Sequence, residues 1–99
     1  MQKDVNVSLA ADEIEALLDR ALDAKKTYRR RISDGKVLVY RGNPTRYYHR
    51  TVYLTMTFIL EKKPEYTAVH WYIPGPDKWL EPGRAYSKKI EKILAEYLI

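Results

Sequence analysis

The chain has 99 residues, of which 45% are hydrophobic, with 18 basic and 13 acidic side chains and no cysteine. The absence of cysteine excludes a disulfide framework, a thiolate nucleophile and a cysteine metal site. The length predicts a single domain over residues 1–99, and no apolar run approaches the roughly 20 residues of a membrane span, which favours a soluble, cytoplasmic protein. Lys, Arg, Glu and Tyr are plentiful while Asn, Gln and Met are scarce, a composition typical of thermophilic proteins.

The net charge of +5 is concentrated in one part of the chain. Residues 1–24 contain two basic and six acidic side chains, residues 25–50 contain nine and one, and residues 51–99 contain seven and six. A segregated basic segment indicates a polyanionic partner or an acidic protein surface. It is equally typical of a solvated sheet edge that protects a protein against edge-to-edge association.

The first predicted element is an amphipathic helix over about residues 9–25, with Ser8 as its N-cap. Its apolar stripe consists of Ile14, Leu17, Leu18, Ala21 and Leu22. A short strand before the helix is indicated by the alternation of Val5, Val7 and Leu9. The segment from Asp4 to Leu22 resembles the strand and first helix of ribbon-helix-helix DNA-binding domains. The chain departs from that family after Ala24, where β-like sequence replaces the second helix.

Four strands are predicted next, over about residues 27–33, 36–42, 46–61 and 66–73. The longest of them has the clearest signal, because apolar and polar residues alternate along it with a period of two. The breaks between the strands are predicted hairpin turns at Asp34-Gly35, Gly42–Thr45 and Lys62–Glu65. Closing the second turn sets Tyr40 opposite Tyr47, and Arg41 opposite Arg46.

Directly opposed residues of antiparallel strands lie on the same side of a sheet, so these registers predict two faces. The face against the helices should contain Tyr28, Ile32, Val37, Val39, Tyr48, Val52, Leu54, Met56, Phe58, Leu60, Val69, Trp71 and Ile73. The open face should contain Arg29, Arg31, Leu38, Tyr40, Tyr47, His49, Thr51, Tyr53, Thr55, Thr57, His70 and Tyr72.

The connector Pro74–Gly83 is rich in turn-forming residues, and a second amphipathic helix is predicted over about residues 84–98. The predicted fold is therefore α+β. It is a four-stranded antiparallel meander with the N-terminal and C-terminal helices on one face, in the order α-β-β-β-β-α.

Parts of the C-terminal half resemble double-stranded-RNA-binding domains, namely Gly75-Pro76-Asp77 and Ser87-Lys88-Lys89 followed by Lys92. The last helix of that family opens with a Ser-Lys-Lys signature that contacts phosphates. The resemblance therefore implies phosphate contacts by Lys88, Lys89 and Lys92. The chain departs from the family because six residues, rather than two strands, separate Asp77 from Arg84.

The open face is the predicted binding surface, since rings on an open sheet can stack on bases while nearby cations neutralise phosphates. The alternative is a homodimer or a protein-partner interface, where Tyr and Arg are also enriched. A third reading is structural, because Tyr and Thr are simply good strand residues. The predicted nucleic-acid-binding or interface residues are Arg29, Arg31, Tyr40, Arg41, Arg46, Tyr47, His49, Tyr53 and Tyr72.

Enzyme activity is not predicted. The chain has no Gly-x-Ser-x-Gly elbow, glycine-rich phosphate loop or His-Glu-x-x-His helix. The predicted register places His49 and His70 about 26 Å apart at ~3.3 Å per residue, too far to share a metal or a proton. We therefore predict no catalytic residue, no metal and no cofactor.

Overall fold

The computed structural model describes residues 2–47, 49–74 and 81–99, apart from the side chains of residues 45–47, 81 and 82. The elements in chain order are β1 (Gln2–Val7), α1 (Ala11–Ala21), β2 (Lys25–Ile32), β3 (Gly35–Arg41), β4 (Thr45–Tyr47), β5 (Arg50–Val52), β6 (Thr55–Lys62), β7 (Thr67–Tyr72), α2 (Glu81–Leu94) and a 3₁₀ turn (Ala95–Tyr97). The predicted core position of Tyr48 and most of the predicted connector lie outside the described residues. Within the described ranges, no helix combines the length and apolar character needed to cross a bilayer.

Five strands form one antiparallel sheet in the order β1-β7-β6-β3-β2. The α+β class and the antiparallel sheet are thus confirmed, and the predicted strand order roughly fits, but the sheet has five strands rather than four. The N-terminal strand pairs with β7, with Val5 opposite Val69, and adds a fifth strand at the edge. The Ser8 N–H donates to the Tyr97 carbonyl oxygen (2.8 Å), so this edge is also attached to the end of the second helical region.

Both helices lie on one face of the sheet and bury a common core. Helix α1 begins after Ala10, whose N–H donates to the Glu13 carboxylate (3.2 Å), so the predicted N-cap at Ser8 is wrong. The apolar stripes predicted for the helices supply much of this core, since their spacing of three and four residues directs them to one side. The fully buried members from the helices are Ile14, Leu18, Leu22, Ile90 and Leu94.

Strand β3 faces the opposite way from the prediction. Leu38 pairs with Phe58 and Tyr40 pairs with Met56, and all four side chains are fully buried. The prediction paired Tyr40 with Tyr47, and the observed register differs from it by an odd number of residues. A shift in register by an odd number exchanges the two faces of a strand. Leu38 and Tyr40 therefore belong to the core and not to the open face.

Strand β2 also faces the opposite way from the prediction. Arg29 pairs with Leu38, and Arg31 pairs with Lys36, which places both arginines on the side of the helices. The prediction had placed these arginines on the open face. The open face instead contains four residues that were predicted to be buried, namely Tyr28, Ile32, Val37 and Val39.

The hairpin of β3 and β6 continues beyond the sheet as a two-stranded arm, which we define as Gly42–Leu54. The Gly42 N–H donates to the Leu54 carbonyl oxygen (2.8 Å), directly after the last pair of the sheet, Arg41 with Thr55. Strands β4 and β5 then pair only with each other. The molecule is accordingly elongated, measuring 47 Å along its longest axis against 24 and 22 Å along the others.

The chain reverses at the tip of the arm and not at its base. Tyr47 pairs with Arg50, and His49 between them has a φ of 66°, a left-handed conformation that histidine tolerates better than most residues. The predicted turn at Gly42–Thr45 is instead the interruption between the five-stranded sheet and the strands of the arm. As a result Arg41 opposes Thr55 rather than Arg46, and Val52, a predicted core residue, is exposed.

Candidate nucleic-acid interface

The basic segment of the sequence is partly neutralised inside the protein by α1. Glu15 is buried between this helix and the sheet, with 8% of its side chain exposed. It accepts hydrogen bonds from Lys26 Nζ (2.7 Å), Arg29 Nε (2.7 Å) and Lys36 Nζ (2.5 Å). Lys36 is itself buried, with 3% of its side chain exposed. These cations of β2 and β3 are therefore bound to an acid of their own chain.

Two opposing effects determine the pKa of Glu15. Burial raises this pKa, because a carboxylate loses its hydration in the interior. The hydrogen bonds from Lys26, Lys36 and Arg29 lower it, and together they outweigh the cost of burial. The result is a pKa of about 2, compared with an ordinary value of 4.5. Glu15 is thus ionised throughout the neutral range.

Asp12 and Asp19 extend this cluster by one turn of α1 in each direction. Asp12 contacts Lys36 and lies 3.7 Å from the guanidinium of Arg31, whereas Asp19 accepts a hydrogen bond from Lys26 (2.9 Å). The hydrogen bond and the charge of Lys36 hold the pKa of Asp12 below its ordinary value. Residues three or four positions apart lie on the same side of a helix, so all three acids face β2 and β3.

Tyr40 is part of the same cluster. Its hydroxyl donates to Asp19 Oδ1 (2.6 Å), and its ring meets Phe58 edge to face with centroids 5.6 Å apart. Burial, the hydrogen bond to Asp19 and the negative charge of that residue all raise the pKa of Tyr40. A ring held in this way is not accessible for base stacking on the open face.

We expect Tyr40→Phe to lower the free energy of unfolding by about 1.5 kcal/mol, the lower end of the range for a hydrogen bond to a charged group. The lower end applies because Asp19 is 42% exposed and can be hydrated once the hydroxyl is gone. Urea denaturation measures the change, with Tyr53→Phe as the control because Tyr53 is 49% exposed. An equal loss in the two variants would contradict the assignment.

The arm brings together several predicted site residues. His49 and Arg50 are exposed at its tip, and at its base the Arg41 guanidinium lies 4.8 Å from the centroid of the Tyr53 ring. This separation is within the range of a cation–π interaction. From Gly35 to Leu60 the sequence contains no acidic residue, so the arginines of the arm have no acid within their own hairpin.

The base of the arm is fixed to α2 by Tyr86. The Asn43 N–H donates to the Tyr86 hydroxyl (2.9 Å), and the Asn43 side chain donates to Asp23 Oδ2 (3.0 Å). Gly42 lies against the same ring, since a Cβ at this position would be 2.8 Å from Tyr86 Cε2. The close approach of this ring, rather than a turn, therefore favours glycine here.

Helix α2 contributes a second basic surface, the α2 stripe, formed by Arg84, Lys88 and Lys92. All three residues are exposed, and their spacing of four places them on one side of the helix over about 12 Å at ~1.5 Å per residue. Glu91 is directed to Lys3 of β1 (2.9 Å). Lys89, which the resemblance grouped with Lys88 and Lys92, is only partly exposed.

Ser87 has an internal role. It is buried, and its hydroxyl accepts a hydrogen bond from Trp71 Nε1 (3.1 Å). In the Ser-Lys-Lys sequence the serine therefore belongs to the core, and the two lysines lie toward the surface of α2. A phosphate contact by the lysines stays a prediction, and the serine serves the packing of α2 on the sheet.

The structure thus separates the predicted site residues into distinct groups. Arg29, Arg31 and Tyr40 lie beneath α1, Tyr72 lies on the open face, and Lys88 and Lys92 belong to the α2 stripe. The arm and its base contain Arg41, Arg46, Tyr47, His49 and Tyr53. Sequence reasoning missed Arg84, although its spacing from Lys88 and Lys92 was visible.

A cleft of about 520 Å³ lies at the start of α1. Its charged lining consists of four cations and four acids, namely Arg31, Lys36, Lys62, Lys63, Asp12, Glu13, Asp34 and Glu65. This balance gives no preference for an anionic or a cationic ligand. Over the residues that the structure describes, no three potential metal ligands converge.

The chain was compared with known proteins. No protein-family model, curated protein or solved structure matches the chain.

Proposed function

We propose that this protein binds nucleic acid through its arm, Gly42–Leu54, with the α2 stripe contacting the phosphate backbone. The observation that supports this most directly is the arm itself, a two-stranded ribbon with arginine and aromatic residues and no acid. A two-stranded β-ribbon fits the major groove of B-form DNA, which is about 12 Å wide. Arginine at the tip of such a ribbon can contact base edges or phosphates.

The open face of the sheet is less suited to this role. Among its described residues the cations are Lys25, Arg30 and Arg41, and the acids are Asp4 and Glu61. A stacking platform for single strands needs a positively charged groove that follows the phosphates. We therefore propose double-stranded nucleic acid, approached by the arm, rather than a single strand on the sheet.

The direct test is the double variant Arg46→Ala/Arg50→Ala, titrated against a fluorescent duplex at about 50 mM and about 200 mM salt. We expect the affinity to fall about tenfold or more at the lower salt. The slope of log K against log salt should decrease by about two, because each lost phosphate contact removes about 0.9 from it. The same titration against a single strand shows which form is preferred.

The matched control is Arg20→Ala/Lys62→Ala, which removes the same charge from exposed positions outside the arm. This control should bind nearly as the unmodified protein does. Equal weakening in both double variants would show a net-charge effect and contradict the proposal. Tighter binding of the single strand would contradict the choice of a duplex.

A further inference from the structure

We infer that the open face of the five-stranded sheet is the interface of a homodimer, with two copies packed face to face about a two-fold axis parallel to the strands. This inference is independent of the proposed function, because the arm does not belong to the five-stranded sheet.

The open face is apolar at its centre. Both helices lie on the opposite face, and no described element covers this one. A contiguous apolar surface of this kind marks an interaction site more often than an ordinary solvated surface. Its large exposed side chains are Tyr28 (46%), Ile32 (40%), Ile59 (39%) and Tyr72 (49%).

One row of residues across this face shows how the charges are arranged. Asp4 pairs with His70, His70 with Ile59, Ile59 with Val37, and Val37 with Arg30. Paired residues share a face, so the row runs from Asp4 at the β1 edge, whose carboxylate contacts His70 Nδ1 (2.5 Å), through the apolar Ile59 and Val37 to Arg30 at the β2 edge. The face is therefore opposite in charge at its two edges.

This arrangement is self-complementary for only one orientation of the axis. Packed sheets lie about 10 Å apart with their strands nearly aligned. A rotation about an axis parallel to the strands places the β1 edge of one copy over the β2 edge of the other. Arg30 then faces the partner's Asp4, and the same contact occurs twice. An axis perpendicular to the strands would instead oppose Arg30 to the partner's Arg30.

The rows on either side are compatible with this packing. In one of them Tyr28 would lie over the partner's Gln2, and Val39 over the partner's Tyr72. In the other row, Glu61 would lie beside the two-fold axis, close to the partner's Glu61. Its carboxylate has Lys63 of the same chain at 3.4 Å, which reduces the repulsion.

The area of the face sets the expected strength of the dimer. Five strands at about 4.8 Å and seven residues at about 3.3 Å give a face of about 550 Å². Two such faces bury about 1,100 Å², close to the lower limit of stable protein interfaces. We therefore expect a dissociation constant in the micromolar range rather than an obligate dimer.

The first test is the mass of the protein in solution by analytical ultracentrifugation over a range of concentrations. The unmodified chain should change from monomer to dimer, and Ile59→Lys should raise the dissociation constant at least 30-fold by placing a charge at the centre of the interface. Because Ile59 is 39% exposed, its replacement should leave circular dichroism unchanged. A variant in which a two-residue Asn-Gly turn replaces residues 43–53 of the arm should still dimerise.

The second test uses the charges at the edges. Asp4→Arg and Arg30→Asp should each weaken self-association at least tenfold, because each creates two like-charge contacts. Mixing these two single variants should produce a heterodimer in which both contacts are attractive again. The double variant Asp4→Arg/Arg30→Asp should also recover self-association.

Three results would contradict the proposed dimer. A chain that remains monomeric to several hundred micromolar would overturn the inference. So would a dimer that Ile59→Lys does not weaken, or single variants that fail to associate when mixed. Failure of nucleic-acid binding with an intact dimer would contradict only the proposed function.

Discussion

Replacing Glu15 by alanine should lower the free energy of unfolding by about 3–5 kcal/mol, the usual cost of removing one partner from a buried ion pair. The reason is that Lys36, with 3% of its side chain exposed, keeps only the exposed Asp12 as a partner, and water cannot replace the lost carboxylate. Lys26 and Arg29 are 29% and 41% exposed and regain hydration more easily. A loss of this size is a large fraction of the stability of a small domain.

Urea denaturation measures this loss, with Glu65→Ala as the matched control because Glu65 is exposed. The double variant Glu15→Leu/Lys36→Met should recover at least half of the loss, because it leaves no buried charge without a partner. If Glu15→Ala is as mild as the control, the cluster does not stabilise the fold. If the double variant is worse than the single one, the loss of the Glu15 partner of Lys36 is not the cause.

The pH dependence gives an independent readout of the same cluster. The pKa of Glu15 is lowered from 4.5 in the unfolded chain to about 2 in the folded protein. A lowered pKa contributes stability that is present in full above the unfolded value and is lost as the pH falls toward the folded one. The stability of the unmodified protein should therefore fall between about pH 4.5 and 2, and the difference from Glu15→Gln should shrink over this window.

The sequence predicted the facing of β6 and β7 correctly and the facing of β2 and β3 wrongly, and its single strand over residues 46–61 corresponds to β4, β5 and β6. In β6 and β7 polar and apolar residues alternate, so Phe58 and Trp71 were placed in the core. In β3 the run from Val37 to Tyr40 is apolar at every position, and periodicity cannot distinguish its two faces. Its facing then depended entirely on the position of the following turn.

That turn was misplaced because Gly42 and Pro44 are typical turn residues. Gly42 instead allows the approach of Tyr86, a contact made by a helix more than 40 residues away in the sequence. No local pattern indicates such a requirement. Because the turn was misplaced, Tyr40 and Arg29 of the paired strand were both assigned to the wrong face.

Two signals in the sequence, which were not used for the prediction, could have indicated parts of the candidate sites. The spacing of Asp12, Glu15 and Asp19 places three acids on one side of α1, and a basic strand follows directly. This pattern indicates internal neutralisation rather than a solvated acidic face. The absence of acids from Gly35 to Leu60 marks the arm as the part of the chain where positive charge has no local partner.

The proposed dimer would give the arm a geometric role. In each copy the arm leaves the sheet at the end where β3 finishes and β6 begins. A rotation about an axis parallel to the strands preserves the direction of the strands. Both arms would then project from the same end of the dimer, where they could approach one duplex together. Two linked contacts bind more tightly than either does alone.

Shortening the arm should abolish nucleic-acid binding while preserving the fold. Replacing residues 43–53 by Asn-Gly, the preferred two-residue hairpin turn, would connect Gly42 to Leu54 through two residues. The Gly42 N–H already donates to the Leu54 carbonyl oxygen (2.8 Å), so these residues are correctly placed to flank such a turn. The five-stranded sheet and the contact of Gly42 with Tyr86 are retained.

We expect the affinity for a duplex to fall about 100-fold or more, because the shortened chain loses both arginines of the arm and its aromatic residues together. Fluorescence anisotropy measures the affinity, and circular dichroism with thermal unfolding checks the fold. The control is a chain of full length in which Thr51→Ser/Val52→Thr changes the arm without altering its charge, and it should bind normally. A shortened protein that folds and still binds within threefold of the unmodified chain would move the site from the arm to the α2 stripe.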